Sequence, residues 1–262
     1  MVLAVDEKQT GGRVGEHRCP CLRPEVSNNN RKELKTNPTE LPYLLSSLPL
    51  FWGMNRDDIS DFVATCNMDF LHFDGDGPIV AEDQMCSELI IVVKGQVMVT
   101  TIPDDHSYRV DEELTAPFVI QPDRLFGLRT RYSATFSSKG KCSALCIPKT
   151  DVVNLTVKYQ VFRINLFNAI STLAQKQSRT PWRHTPDTLR GRIVRFVETH
   201  CVLPTGRKRM VIRILQLTKE LNASRRAISD ELHNMEADGL ITMRRECIII
   251  PSMEKLLTGS KN

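Results

Sequence analysis

The sequence of 262 residues contains no run of eighteen or more apolar residues, the minimum for a membrane-spanning helix, so no membrane partner is expected. Its first residues, Met1 to Cys21, place acidic and polar groups where a secretory leader carries an apolar core, and a cytoplasmic location is expected. The eight cysteines are scattered. In a chain this long an even count alone does not make a disulfide framework, and reduced thiols are the expected state. Also missing are a Walker-type phosphate loop, a G-x-S-x-G nucleophile turn, an H-E-x-x-H pair and any His-x-His pair. Only His72 and His106 fall within the strand-rich part, too few ligands for a barrel-mouth metal enzyme. No catalytic residue, metal ligand or cofactor is assigned, and an enzyme is not expected.

The net charge of +4 is modest but uneven. Residues 183–262 hold 15 Lys and Arg against 9 Asp and Glu, a balance of +6, whereas residues 1–182 hold 20 against 22, a balance of −2. A basic C-terminal third on a near-neutral body fits a polyanion-binding module joined to a separate partner domain.

The chain divides by hydrophobic period. Residues 1–40, with Gly-Gly and "SNNN", read as a flexible tail, with local order near Cys19 and Cys21 as the one exception. From Leu41 the pattern is helical, with Asn55 or Asp57 as N-cap and Ile59, Phe62 and Val63 as an apolar face. Between Met68 and Pro148 short β-type runs follow one another, separated by Gly, Asp and Pro clusters, and this spacing predicts an all-β sandwich or barrel-like roll within a domain spanning 41–150. Lys94-Gly95 interrupts "LIIVV" and "QVMVT", where a glycine relieves a tight turn or bulge. Cys142 and Cys146 share one face of a strand and read as core thiols; His72 reads as a strand histidine with a satisfied ring.

After Pro148, Val153, Val157, Val161, Ile164, Phe167, Ile170 and Leu173 recur at steps of three or four. One long helix over 151–180 is predicted, and a second copy of the chain is the economical cover for its stripe. "SRTPWRHTPD" is the domain boundary. Beyond it, over 181–262, come a helix faced by Leu189, Ile193, Phe196 and Val197, the short β-branched run "RMVIRI", a helical pair, two short strands in "TMRRECIIIP", and a closing helix in "SMEKLLT".

The helical pair carries the most information. Leu217 and Leu221 form the inner face of its first helix, and Ile228, Leu232 and Met235 that of its second. The bend falls at Asn222-Ala223, and asparagine tolerates a left-handed backbone. Ser224 is a natural N-cap. Arg225, Arg226, Ser229, Asp230 and His233 are then left facing solvent, so the helix opens with two guanidinium groups and a hydroxyl. Such an end suits a major groove, where arginine donates two parallel bonds to guanine. Arg244 and Arg245, at the following hairpin turn, are placed to neutralise phosphates.

Helix, short strand, helix, Asn bend, Arg-led helix and basic hairpin is the order of a winged helix-turn-helix. With "LPLFWGM", "LIIVVKGQVMV", "NASRRAISDELHNMEADGLI" and "RRECIIIP" in series, residues 41–257 resemble the Crp/Fnr family of bacterial transcription regulators. The resemblance implies an α+β chain: an N-terminal double-stranded β-helix (jelly-roll) sensor domain, a long dimerisation helix and a C-terminal winged helix-turn-helix. It implies a homodimer on double-stranded DNA, a small-molecule or redox effector of unknown identity, and RNA polymerase as a further partner. By position, Ser224 matches a phosphate or base contact, Arg225 the guanine reader and Arg226 the adjacent specificity position, with Ser229 near the backbone. The sequence departs at Thr218, where Ala or Gly is usual, at Asn222, where glycine is usual, and at Asp230, where a basic residue is common.

The effector stretch departs further. "RLFGLRTRYSAT" puts Leu128 after Gly127, lacks the ribose-binding Glu, and is too short between Gly127 and Arg131 or Ser133 for the intervening helix. Gly127, Leu128, Arg131 and Ser133 therefore mark an effector pocket that is not expected to hold a cyclic nucleotide. Cys19 and Cys21 alone do not supply the four cysteines of an iron–sulfur member. The competing reading is an effector-binding or protein-interaction module whose helical pair serves a protein partner.

Overall fold

A computed structural model describes residues 32–33, 41–179 and 184–259. The tail apart from its strand, Cys19 and Cys21, and the middle of the Pro-containing connector lie outside the described residues. A two-residue strand β1 (Lys32–Glu33) pairs antiparallel with β2 (Asp69–Phe73). Before β2 come α1 (Leu41–Ser46), a 3₁₀ turn at Pro49–Phe51 and α2 (Arg56–Thr65). Asn55 caps α2 by accepting from the Asp58 amide at 2.6 Å, one of the orphan donors every helix start exposes.

The strands that follow are β3 (Gly77–Val80), β4 (Glu88–Thr101), β5 (Arg109–Thr115), β6 (Phe118–Ile120) and β7 (Thr135–Pro148). The run "ELIIVVKGQVMVTTI" forms, up to Thr101, the 14-residue strand β4, and two expected runs are joined, since the end of "YSATFSS" and all of "KCSALCIP" lie in the equally long β7. These two strands pair along most of their length, with register shifts between Val92, Lys94 and Gln96. The glycine is therefore a bulge and not a turn. Gly95 sits at φ +102°, and a Cβ there would fall 2.4 Å from the Lys141 carbonyl oxygen, so no side chain fits without moving the backbone.

The predicted single helix over 151–180 is divided. α3 (Lys149–Lys158) ends at Tyr159, whose backbone is extended at φ −115°, ψ 104°, and α4 (Gln160–Arg179) resumes at once. The aromatic ring explains the break, because Tyr159 is buried and its hydroxyl donates to Asp61 on α2. Phe162 of α4 packs on Phe51 at 5.4 Å between ring centroids, and Phe51 on Phe62 at 5.2 Å. Val157, Ile164 and Phe167 of the expected stripe remain exposed, as does Trp52, whose carbonyl accepts from Asn165 of α4.

The C-terminal part comprises α5 (Leu189–Thr199), β8 (Lys208–Val211), α6 (Ile214–Leu221), α7 (Arg225–Ala237), β9 (Thr242–Arg244), β10 (Cys247–Ile250) and α8 (Met253–Gly259). Its apolar residues form a second core around Ile193, Phe196, Leu217, Ile228, Leu232 and Met235. It is not a separate bead. β8 pairs antiparallel with β10 on one side and with β5 on the other, Asp111 opposite Arg209 and Glu112 opposite Lys208. The described residues thus form a mixed α/β molecule with one antiparallel sheet running β1-β2-β7-β4-β5-β8-β10-β9, with β3 on β7 and β6 on β4.

Candidate functional site

The helical pair has the anatomy read from the sequence. α6 ends at Asn222 in the left-handed region, φ 46° and ψ 54°. The Ser224 hydroxyl accepts from the Ala227 amide at 3.2 Å and so caps α7. Leu217, Leu221, Ile228, Leu232 and Met235 are all buried, each apolar side chain removed from water contributing roughly 1.5–3 kcal/mol before entropy is charged against it. α7 closes at Gly239, φ +70°, with the Leu240 amide donating to the Met235 carbonyl, the left-handed stop that glycine permits.

Four contacts hold the helical pair, three of them on α7 and its C-cap and one on the end of α6. Arg190 of α5 reaches Glu231 at 2.6 Å and Asp238 at 2.8 Å, and the Glu231 bond holds the guanidinium pKa above its usual value. Arg192 donates to the Leu221 carbonyl at 3.0 Å. Glu236 accepts from the Met243 amide at 2.7 Å, tying α7 to β9.

Against this fixed frame the outer face is open. Ser224, Arg225, Arg226, Asp230 and His233 are exposed, and Ser229 is half-buried. Arg226 approaches Asp230 at 3.9 Å, with side chains 93% and 68% exposed, too solvated to hold one geometry. His233 bonds back to the Ser229 carbonyl through Nδ1 at 2.6 Å. At the hairpin, Arg244 and Arg245 are exposed, and Glu246 takes φ +55°. Arg225, Arg244 and Arg245 form no ion pair among the described residues.

The four effector positions do not gather. Leu128 is 101% exposed, and a Cβ on Gly127 would meet nothing within 4 Å. Arg131 donates to the Asp83 carbonyl at 2.5 Å. Ser133 alone of the four lines a cavity of about 540 Å³, where Gln121 brackets it, accepting from its amide at 2.9 Å and donating to its hydroxyl at 2.7 Å. The cavity lies at the meeting of the strand-rich unit, α4 and the chain entering β8; Phe118, Phe136, Leu173, Lys176 and Val202 are in its wall. His72 meets Ser143 at 2.9 Å, a satisfied strand histidine. Cys142 and Cys146 are buried, and burial pushes the Cys142 thiol pKa up.

Sequence reasoning missed a charged junction beside that cavity. Glu112 of β5 and Lys208 of β8 lie 2.7 Å apart with both side chains 0% exposed. Glu112 also accepts from the amides of Val202 at 2.6 Å and Leu203 at 3.3 Å. Lys176 of α4 donates to the carbonyls of Cys201 at 2.8 Å and Val202 at 2.6 Å, and burial lowers its pKa. The signal available was alternation: in "RVDEELT" the inward period puts a carboxylate at Glu112 where an apolar residue belongs. Nearby, His200 bonds Phe196 through Nδ1 and meets the Tyr108 hydroxyl through Nε2 at 2.8 Å, and burial raises the Tyr108 pKa to about 12.

No protein-family model matches this chain, nor does any curated protein. Among solved structures it is similar to the catabolite activator protein of Thermus thermophilus, at 14% identity and TM-score 0.42 over 81% of this chain and 99% of that one. It is similar also to the sensor domain of the transcriptional regulator DNR from Pseudomonas aeruginosa, at 14% identity and TM-score 0.46 over 58% and 97%. A third is CLP of Xanthomonas campestris, described as a c-di-GMP responsive global regulator, at 15% identity and TM-score 0.42 over 75% and 99%. Each of these likenesses is one of fold, at low identity.

Proposed function

We propose that the chain is a transcription regulator that binds promoter DNA as a homodimer, with residues 181–262 acting as a winged helix-turn-helix and 41–150 as an effector-sensing β-roll. The observation that carries this reading is the start of α7. Arg225 and Arg226 stand exposed behind a Ser224 cap, on a helix whose opposite face is anchored by Ile228, Leu232 and Met235. A helix held this way can enter a major groove with its first turn, Arg225 reading a guanine and Ser224, Ser229, Asp230 and His233 flanking it. Arg244 and Arg245 serve the phosphates on either side of the groove.

The homodimer is supported by the uncovered apolar face of α3 and α4, where Val157, Ile164 and Phe167 meet solvent. Two-fold pairing through that face presents one α7 per subunit, so the operator is expected to be two-fold symmetric. Residues 151–180 then join sensor to reader, and an effector acts by changing the relation of the two recognition helices. RNA polymerase is a natural further partner of such a protein, working in the cytoplasm.

The test is binding to promoter fragments across a salt series. Affinity should fall steeply with salt, because each phosphate neutralised releases counterions. Arg225→Ala should flatten the sequence preference, removing discrimination of roughly 1–3 kcal/mol at one base pair per half-site, while sedimentation shows an unchanged dimer. Unaltered footprints in that variant, or salt-independent capture of a protein by the same face, would install the interaction-module reading instead.

A further inference from the structure

We propose that the cavity between the strand-rich unit, α4 and the Thr199–Leu203 stretch binds an uncharged apolar molecule through a carbonyl oxygen directed at Arg124, and that this ligand fastens sensor to reader. The inference rests on the reading of the chain as an effector-controlled regulator, and gives that effector a chemical class. A volume of about 540 Å³ suits a small organic ligand. Leu114, Phe118, Val119, Phe136 and Leu173 offer its body an apolar bed.

The ionised groups around that bed set the ligand's charge. Asp123, Arg124 and Lys176 line the cavity. Arg124 Nε lies 3.3 Å from the Asp123 carboxylate. Lys176 donates to the carbonyls of Cys201 and Val202. Burial lowers its pKa, and the Glu112 carboxylate acts against that loss. A ligand with a charge of its own would have to compete with these pairings beside an apolar wall, where an unmatched charge is costly. An uncharged ligand leaves them standing.

Arg124 also has a donor to spare. Its Nε is shielded from solvent and has no hydrogen-bond acceptor among the described residues. The Asp123 carboxylate is near enough to attract it but is not aligned to accept from it. Of the neighbouring polar groups, Gln121 and Ser133 engage each other, and the Tyr108 hydroxyl meets His200. A buried donor without an acceptor carries a desolvation cost that a ligand oxygen removes. A carboxylate brought to that nitrogen would sit beside Asp123 and be repelled by it. A carbonyl oxygen accepts the same bond without the repulsion.

The cavity wall is shared between units. Leu114 belongs to β5, Leu173 to α4 and Val202 to the chain entering β8. A molecule touching all of them keeps its full contacts only while β5 and β8 stay paired. Binding therefore favours the joined arrangement over any in which the reader swings free.

Equilibrium dialysis of the full chain at neutral pH tests the assignment. The probes are two ketones, acetylnaphthalene and octanone, set against ethylnaphthalene, naphthoate and octanoate. Each ketone should bind at least about tenfold more tightly than its acid. Acetylnaphthalene should bind about fivefold more tightly than the matching hydrocarbon. Arg124→Met should bring those two level, with circular dichroism reporting its fold; the differences measured on the unaltered chain stand without that variant. Hydrogen exchange at residues 199–203 and 208–211 should slow on ketone binding, and by more than in α7. Acids or the hydrocarbon binding as tightly as the ketones would overturn the proposal, as would a ketone preference kept in folded Arg124→Met. So would ketone binding without slower exchange at the joint, or no ketone binding below about 0.5 mM. No arm contains DNA, so a failure to bind promoters would bear on the regulator reading alone.

Discussion

Two groups of charges, one at the joint between the sensor and the C-terminal third and one within that third, obey opposite rules. At the β5–β8 joint, Glu112 and Lys208 are wholly buried and each is matched to a partner. On the outer face of α7 and the following hairpin, Arg225, Arg244 and Arg245 are exposed and form no ion pair among the described residues. The contrast shows that a basic balance is not itself a binding surface. Arg190 locks α5 to α7, Arg192 holds the end of α6, and Lys208 sits inside a protein joint. Charges with partners build the frame, and on the proposed function those without partners are left for a polyanion.

The sharpest way to break this comparison is at Glu112. Glu112→Ala strands the Lys208 ammonium and the Val202 and Leu203 amides together, and leaving one member of a buried pair costs about 3–5 kcal/mol. Urea unfolding of that variant should show the loss. The same measurement on Arg225→Ala should stay within about 0.5 kcal/mol of the unaltered chain. Pairing Glu112→Leu with Lys208→Met should recover part of the loss but not all, because the two amides stay orphaned. Equal stabilities for Glu112→Ala and Arg225→Ala would erase the distinction between the groups.

Between the extremes lies Ser224, which belongs to both: exposed to solvent, yet holding the first turn of α7 through the Ala227 amide. Ser224→Ala should cost about 1 kcal/mol of stability, the usual loss for an N-cap. Ser224→Gly should cost only a few tenths of that amount, about 0.3 kcal/mol. If the two variants weaken DNA binding alike but differ in unfolding, the hydroxyl touches the nucleic acid as well as the helix. If DNA binding tracks stability, it is a cap only.

The helical pair was readable from the sequence because its determinants are local. Asn222, Ser224 and the spacing of Leu217, Leu221, Ile228, Leu232 and Met235 settle a bend, a cap and a buried face within twenty residues. The strands were readable as runs, β4 as a single one with a turn or bulge at Gly95, but not the joining of "YSATFSS" to "KCSALCIP" in β7, since Gly140 at φ +71° mimics a turn in sequence. The break at Tyr159 was hidden for the opposite reason. Neither Pro nor Gly marks it, and it depends on a hydrogen bond to Asp61, 98 residues away. The β5–β8 joint was hidden too, as its pairing spans 96 residues between Glu112 and Lys208 and each looks like an ordinary surface charge in its own window. Local chemistry is legible in one dimension, and partnerships closed in three are not.

The smallest effect sharpens the comparison from the exposed side. Asp230 is the one acidic group on the outer face of α7, at 3.9 Å from Arg226 and largely solvated. An ion pair so exposed contributes little to stability, and Asp230→Ala should leave unfolding unchanged. Its place in a groove is another matter. In the proposed DNA complex its carboxylate repels phosphate and can accept from cytosine N4, trading general affinity for a preference at one base. Asp230→Ala should therefore tighten binding to unrelated duplexes by about two- to fivefold at low salt and narrow the gap to the operator. Asp230→Asn separates the two roles, removing the charge while keeping a side-chain acceptor. Competition binding with operator and scrambled duplexes reads both numbers. Should neither variant change the ratio, Asp230 faces away from the groove and α7 enters with a different edge.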